Sequence, residues 1–211
     1  MIRKNVLITK GSHPFALSLA ESLLRLGHRV TLLDTFLEEK SSMAHLQNYP
    51  AFRFLLHDIS CALYVDVDEI YDFSHYAPEE TSSMIASMKA VVFGSFHLLS
   101  LAKRSKAKCL FVQTLARSEK GVEQAKIFAR AFCSEFQKEG VLAKVAQVSS
   151  EDASKIDAHL ETRKKTKEGD LFFEEVLLRM MGMMESQDFL NKDTLILDQC
   201  RFSEEEVPVL G

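Results

Sequence analysis

The stretch that decides the fold is KNVLITKGSHPFALSLAESLLRLGHRVTLLDTF, residues 4–36. It opens with a short apolar run at residues 6–9, which is typical of a strand buried on both faces of a parallel sheet. Pro14 then suits the first turn of a helix, whose leucines follow helical spacing until Gly27 ends it. A second apolar run follows at residues 29–34. The stretch therefore predicts a strand, a tight turn, a helix and a second strand.

The rest of the chain continues this alternation of short apolar runs and longer amphipathic segments. Further strands are predicted at residues 52–56, 69–73, 108–113, 142–148 and 194–197, and further helices at residues 81–104, 120–139 and 170–185. Strands that alternate with helices of this length indicate an α/β fold with a doubly wound parallel sheet, the Rossmann fold. We assign residues 1–150 to this dinucleotide-binding-like domain. We expect residues 151–211 to form a reduced C-terminal lobe of a loop, a helix and a short strand.

Composition sets limits on the class of protein. The chain has 211 residues, 46% of them hydrophobic, and a formal net charge of −4. This suits one α/β domain and gives no electrostatic argument for nucleic acid as a partner. Because the sequence shows neither a signal-peptide pattern nor a long apolar span, we expect a cytoplasmic protein without membrane contact. No histidine pair has the spacing of metal ligands, so no metal site is predicted.

Two C-terminal segments allow alternative interpretations. Residues 149–169 are polar and include the basic run RKKTK at residues 163–167. We expect a solvated loop here, and an electrostatic patch is the alternative. The helix at residues 170–185 carries four methionines. Such a stripe indicates adaptable core or a contact between subunits rather than a ligand site.

Several stretches of the chain resemble a known family, the extended short-chain dehydrogenase/reductases of the NAD-dependent epimerase/dehydratase type. The matching stretches are VLIT, GHRVTLLDTF, FRFLLHDI, VDEIYDFSHYAP, GSFHLLSLAKRSKAKCLFVQT, VEQAKIFARAF and QKEGVLAKVAQV. They occur in the family's order and cover most of residues 4–148, and within the family they resemble the UDP-glucuronate decarboxylase group. The resemblance implies a Rossmann fold, NAD as cofactor and a nucleotide sugar as ligand.

The resemblance places a nucleotide-binding turn at the stretch TKGSHPFA. The family has glycines where this chain has Lys10, His13 and Ala16, because small residues let the backbone approach the pyrophosphate at the helix N-terminus. Only Gly11 remains here. We expect a remodelled turn with weak or absent NAD affinity, and the alternative is that Lys10 and His13 bind phosphate as cations. The candidate cofactor-binding residues of this turn are Gly11, Ser12 and His13.

Two acidic residues occupy positions at which the family contacts the adenosine half of NAD. The resemblance assigns Asp34, at the end of the second strand, to the ribose and Asp58 to the neighbourhood of the adenine. The alternative is structural, since aspartate is also common as a cap and in turns. Both interpretations stay open for both residues.

The catalytic residues that the resemblance implies are mostly replaced. In the family a tyrosine acts as acid and base, and a lysine four residues later lowers the tyrosine pKa and binds the nicotinamide ribose. Lys126 is retained, but the tyrosine position is Val122 and the Ser/Thr position is Leu115. We therefore expect a catalytically degenerate protein with a binding or interaction role. The alternative is an active NAD-dependent nucleotide-sugar epimerase, dehydratase or UDP-glucuronate decarboxylase.

Other residues near the predicted cleft and on the long helices have two interpretations each. His75 follows the fourth strand and could contact a ligand, and Tyr76 beside it could act as a substitute acid, but packing at a strand end is the favoured interpretation for both. The family commonly dimerises through the two long helices, where Phe128 and Phe132 could lie on the outer face or in the core. We expect a homodimer or another protein partner, with a nucleotide sugar as candidate ligand.

Overall fold

The computed structural model describes residues 2–35, 43–76, 84–114, 120–162, 167–186 and 195–196. Its strands are β1 (Asn5–Thr9), β2 (Arg29–Asp34), β3 (Phe52–Leu56), β4 (Glu69–His75), β5 (Lys108–Thr114), β6 (Ala143–Val148) and β7 (Leu195–Ile196). Its helices are α1 (Pro14–Arg25), α2 (Met84–Ser105), α3 (Lys120–Lys138), α4 (Ser150–Thr162) and α5 (Lys167–Glu185), and a short 3₁₀ turn spans Leu46–Asn48.

These strands form one parallel sheet in the order β3-β2-β1-β4-β5-β6-β7. The chain builds outward from β1 to β3 and then returns to place β4 on the other side of β1. The direction of winding therefore reverses between β1 and β4, which makes the carboxyl ends of these two strands the switch point of the sheet. The prediction of a doubly wound Rossmann fold is confirmed.

Helices cover both faces of the sheet, and each face buries an apolar core. On one face the core is built with α1, α4 and α5, and on the other with α2 and α3. Successive residues of β1 alternate between the two cores, since Val6 and Ile8 belong to the first and Leu7 to the second. This two-sided burial explains why the strand is a continuous apolar run in the sequence. No helix in the described part of the chain is both long and apolar enough to cross a membrane.

The predicted bounds of the helices and strands lie within three residues of the observed ones. β2 and β3 have the predicted bounds, whereas β4 runs two residues further, to His75. This extension places His75 inside the sheet instead of in the loop that follows it. Residues 81–83 of the predicted long helix, and residues 194 and 197 of the last predicted strand, lie outside the described residues.

The prediction of a solvated loop over residues 149–169 is wrong, because α4 occupies most of it. The Ser149 hydroxyl caps this helix: it accepts the Asp152 amide at 3.0 Å and donates to the Asp152 carboxylate at 2.9 Å. Ala153 and Ile156, spaced for one face of a helix, are buried in the core beside α1. Few apolar residues mark this helix in the sequence, so its packing against the rest of the fold supplies much of its stability. Most of the basic run lies outside the described residues.

The methionine-rich helix α5 is held against the sheet by core packing and by two lysines. Met180 and Met184 are fully buried, which agrees with adaptable core. At the end of α5, Lys108 Nζ donates to the carbonyl oxygens of Met184 at 2.6 Å and Ser186 at 2.9 Å. Lys4 Nζ joins the Glu69 and Glu185 carboxylates, at 2.5 Å from each. A cation at a helix C-terminus is favourable, and these contacts dock the helix on the amino ends of the strands.

Candidate functional site

The candidate site lies at the switch point, where the carboxyl ends of β1 and β4 meet the start of α1. In open α/β sheets this crevice is the usual place for a ligand. Thr9 ends β1, the turn at residues 10–13 follows it, and Tyr76 comes directly after β4. The sheet thus brings together two segments that are more than sixty residues apart in the sequence.

Backbone geometry explains the one glycine of the turn. Gly11 lies against β2, with its amide donating to the Leu33 carbonyl at 3.0 Å. A β-carbon on Gly11 would stand 2.9 Å from the Leu32 β-carbon, closer than such atoms pack. Lys10, which the resemblance predicts to stand at a glycine position, adopts a positive φ of 53°. A side chain in this region costs about 1 kcal/mol or more, so the turn keeps a glycine-type backbone without the glycine.

His13 caps α1 with its own ring. Its Nδ1 accepts the Phe15 amide at 3.3 Å, and the ring meets the Tyr76 ring edge-on at a centroid distance of 5.3 Å. Burial, with a contribution from the charge of Lys10, lowers the pKa of His13 to about 4. The imidazole is therefore neutral near pH 7. A neutral ring that already accepts a helix N–H does not supply the cation that the phosphate-binding alternative requires of His13.

Asp34 and Asp58 both make the contacts that the structural interpretation expects. Asp34 is buried, and its carboxylate accepts the Ser12 amide at 2.8 Å, the Ser12 hydroxyl at 2.6 Å and the Thr35 amide at 2.7 Å. It thereby ties the turn to the end of β2. Asp58 is exposed and accepts the Ser60 amide at 2.8 Å within a turn. Their assignment to the adenosine of NAD stays a prediction.

Tyr76 closes the crevice from the side of β4. It is 1% exposed, and its hydroxyl lies 3.4 Å from both the Ala153 carbonyl and an Asp157 carboxylate oxygen of α4. Its ring also packs edge-on against Phe15, at 5.3 Å between centroids. Burial raises the pKa of Tyr76 well above its usual range, and the charge of Asp157 adds to this. The tyrosine is thus a packing residue, as the sequence favoured, and not a free acid–base group.

Lys126 extends from α3 towards the end of β5. The side chain is buried, and Nζ donates to the Thr114 carbonyl at 3.0 Å. Val122 lies one helical turn earlier in α3, but its side chain is outside the described residues, as is the whole of Leu115. The catalytic and cofactor-binding assignments of Lys126 stay predictions.

A buried polar cluster at the end of β4 was not predicted from the sequence. Asp72 accepts hydrogen bonds from the Thr9 hydroxyl at 2.5 Å and from the Ser74 amide at 3.1 Å and hydroxyl at 2.7 Å. His75 Nε2 lies 2.9 Å from the Ser95 hydroxyl. Burial opposes ionisation of Asp72, but attraction to His75 and the Thr9 and Ser74 hydroxyls outweigh it and lower the pKa of Asp72. A polar residue inside the apolar run EIYDF was the one available signal.

Comparison with curated proteins finds relatives over about half of the chain. No protein-family model matches the sequence. UDP-glucuronic acid decarboxylase 1 of Danio rerio is 33% identical over 115 residues, which are 53% of this chain and 28% of that protein. UDP-glucuronic acid decarboxylase 1 of Arabidopsis thaliana is 28% identical over 119 residues, 53% of this chain and 26% of that protein. The chain thus spans roughly a quarter of the length of the curated relatives it matches.

Solved structures share the fold at low sequence identity. The Bordetella bronchiseptica enzyme WbmF in complex with NAD+ superposes with a TM-score of 0.57 at 19% identity, over 70% of this chain and 49% of that chain. The UDP-Glc/GlcNAc 4-epimerase of Campylobacter jejuni gives a TM-score of 0.55 at 15% identity, over 69% and 52%. Together with the decarboxylases, these proteins confirm the predicted resemblance to the extended short-chain dehydrogenase/reductases.

Proposed function

We propose that this chain is a catalytically degenerate relative of the nucleotide-sugar epimerases and decarboxylases that acts by binding another molecule. The observation that carries the proposal is the turn at the switch point, which is closed by the protein's own side chains. His13 caps α1, Asp34 holds Ser12, and Tyr76 packs over both the cap and Phe15. Residues 151–211 are, in this proposal, the remnant of a substrate lobe, and the protein works in the cytoplasm.

The closed turn opposes dinucleotide binding for steric and electrostatic reasons. A pyrophosphate binds at a helix N-terminus because free backbone N–H groups and the helix dipole point at it. In α1 the Phe15 N–H is already donated to His13, and Pro14 has no N–H to donate. The His13 ring occupies a position that the family keeps small, and it brings no positive charge at neutral pH. NAD affinity is therefore weak or absent.

This chain also lacks the proton-donating side chains that the reaction of the family requires. Val122 and Leu115 stand at the tyrosine and Ser/Thr positions, and an aliphatic side chain can neither give nor take a proton. Lys126 alone cannot replace them, because in the family the lysine acts through the tyrosine and the cofactor. Its amine here holds the Thr114 carbonyl at the end of β5, a structural contact.

Calorimetric titration with NAD tests the proposal directly. We expect the wild-type protein to bind NAD with a Kd weaker than about 1 mM, equivalent to less than about 4 kcal/mol of binding free energy. WbmF, which was crystallised with NAD+, is the matched positive control. Micromolar binding of NAD by this chain would contradict the proposal. So would turnover of UDP-glucuronate in the presence of NAD that is lost in Lys126→Ala.

The second candidate function is an active NAD-dependent enzyme on a nucleotide sugar. Three retained residues favour it, namely Asp34, Asp58 and Lys126, together with the 33% identity to a UDP-glucuronic acid decarboxylase. The same titration separates the two functions, since an active enzyme must hold its cofactor. A nucleotide sugar stays the candidate small ligand under either function, and UDP-glucuronate is the probe for it.

We further propose that the protein forms a homodimer through an aromatic face of α2 and α3. Phe93 and Phe96 of α2 and Ile127 and Phe128 of α3 are between 44% and 52% exposed. Phe96 also packs edge-on against Phe136 of α3, at 5.9 Å between centroids. Exposed apolar side chains on two packed helices favour a contact surface, and a second copy can cover it about a two-fold axis. Another protein partner remains the alternative.

Charge placed on this face should separate the subunits. We expect the double variant Phe93→Lys/Phe128→Lys to change a dimeric wild-type protein into a monomer, because the interface would then bury two lysines from each subunit without counter-charges. Analytical ultracentrifugation measures the change. Leu178→Lys is the matched control, since Leu178 is 64% exposed on α5, on the opposite face of the sheet. A monomeric wild-type protein, or a double variant that stays dimeric, would contradict the homodimer.

A further inference from the structure

A buried aspartate–histidine pair lies at the end of β4, apart from the residues on which the proposed function rests. Asp72 and His75 are fully buried, and the Asp72 Oδ2 atom lies 3.3 Å from His75 Nε2. Between these two residues the pairing of β4 with β5 becomes irregular. Tyr76, which closes the crevice, is the next residue along the chain, so the pair stands where it can control that closure.

The two oxygens of the Asp72 carboxylate have different surroundings. Oδ1 accepts hydrogen bonds from the Thr9 hydroxyl and from the Ser74 amide and hydroxyl. Oδ2 is buried and accepts no hydrogen bond within the part of the chain that the structure describes. An ionised carboxylate in this position needs a nearby positive charge, because burial of an unpaired charge is costly. His75 Nε2 is the basic atom that faces it.

The hydrogen bonds of His75 determine what its ring can supply. The Ser95 hydroxyl donates to the Val91 carbonyl at 2.5 Å, so it accepts the N–H of His75 Nε2 at 2.9 Å. Gln113 Nε2 lies 3.3 Å from His75 Nδ1 and donates to it when the ring is neutral. A neutral ring therefore donates its one N–H to Ser95 and leaves Asp72 without a positive charge beside it. A protonated ring compensates Asp72, and the Gln113 amide then turns its oxygen to Nδ1.

The other described neighbours of the pair are either neutral or make their described contacts with groups other than Asp72. On β1 and α2 the neighbours are hydroxyls, Thr9 and Ser95. On β5 the neighbours are Gln113 and Cys109, and burial raises the pKa of the Cys109 thiol, with the charge of Asp72 adding to this, so the thiol stays neutral. On α3, Lys126 donates to the carbonyl of Thr114.

We propose that Asp72 and His75 form a pH-sensitive latch that holds the end of β4, and with it Tyr76, over the start of α1. While the pair keeps its shared proton, its net charge is zero and the strand end stays docked. When the pair loses this proton, one uncompensated negative charge remains in the core and the strand end loosens. The proton belongs to the pair and not to one of its members.

Amide hydrogen exchange at different pH values tests the latch in the intact protein. After correction for the intrinsic rate, the opening of residues 73–76 should become about tenfold more frequent as the pH rises from about 6 to about 8.5. Residues 30–33 of β2 serve as the internal reference and should change less than about twofold. Equal changes in the two segments would overturn the proposal with the wild-type protein alone.

Two variants test the assignment to this pair. Asp72→Asn removes the charge that needs compensation, so the excess opening at high pH should disappear; His75→Gln should also remove it. His45→Gln is the matched control, because His45 is exposed and far from β4 in the sequence, and it should leave the pH effect unchanged. Persistence of the effect in either folded variant would overturn the latch. If neither variant folds, the comparison of residues 73–76 with β2 in the wild type decides.

Discussion

Gly11→Ala should lower the free energy of unfolding by about 3 kcal/mol, one of the two largest effects that we expect from this structure. The new β-carbon would stand 2.9 Å from the Leu32 β-carbon and 3.4 Å from the Leu33 amide nitrogen. Neither atom can move alone, since Leu32 and Leu33 lie in β2, which is hydrogen-bonded between β1 and β3. The turn must therefore move away from β2, which weakens the contacts between Asp34 and Ser12.

The measurement is chemical denaturation of the variant beside a second glycine variant. Gly182→Ala is the matched control, because Gly182 lies in α5 and a β-carbon there meets nothing within 4 Å. Alanine is the better helix former by about 1 kcal/mol, so Gly182→Ala should be neutral or stabilising. Similar effects at the two positions would show that Gly11 has no special contact with β2.

Acidification from pH 6.5 to pH 4 should lower the free energy of unfolding by about 2 to 3 kcal/mol through His13 alone. The native state holds the pKa of His13 at about 4, against 6.5 for the free side chain. Between these two pH values the unfolded chain therefore binds a proton at His13 and the folded chain does not. The contribution of neutral His13 to the free energy of unfolding is therefore complete above pH 6.5, and it is lost as the pH falls towards 4. Carboxylates such as Asp72, whose pKa is lowered, add their own loss at more acidic pH.

The variant His13→Asn isolates this contribution. Asparagine caps helices well but does not titrate, so the variant should lose the excess acid sensitivity between pH 6.5 and 4. At neutral pH it should be less stable than the wild type by about 1 kcal/mol, since it loses the edge-on contact with Tyr76. His45→Asn, at an exposed position, should keep the wild-type profile. A His13→Asn profile that parallels the wild type across this range would show that His13 is not held neutral by its surroundings.

The remodelled turn shows the difference between what the sequence gives, which is the identity of each residue, and what the structure adds, which is its contacts. The sequence predicted that Lys10 and His13 stand where the family has glycines, and this prediction depends only on the resemblance and on local residue types. What replaces them required the fold. Lys10 keeps a positive φ, and the His13 ring turns back to cap its own helix. A residue's identity limits the ligands that it can bind, but its contacts decide whether it is available to bind them.

By itself, the sequence determined the alternation of strands and helices, the doubly wound sheet and the family resemblance. These follow from local patterns: apolar runs such as residues 6–9 and 29–34 are buried on both faces, and Pro14 and Gly27 mark the ends of α1. The prediction that aliphatic residues, Val122 and Leu115, stand at the catalytic positions of the family also needed no structure, because it depends on the resemblance and on residue type alone.

Only the tertiary structure decided how the crevice is closed, that residues 150–162 form a helix, and that Asp72 faces His75. The first two depend on partners that the fold brings together from distant parts of the chain, such as Tyr76 with His13 and with Asp157. Asp72 and His75 are close in the sequence, but residues three apart in a regular strand point to opposite faces, so their contact depends on the irregular pairing of β4 with β5. The apolar spacing of α4 is too sparse to predict a helix until α1 and the sheet bury it. Periodicity along a chain shows which face of an element is buried, but it carries no information about which residue lies across from it.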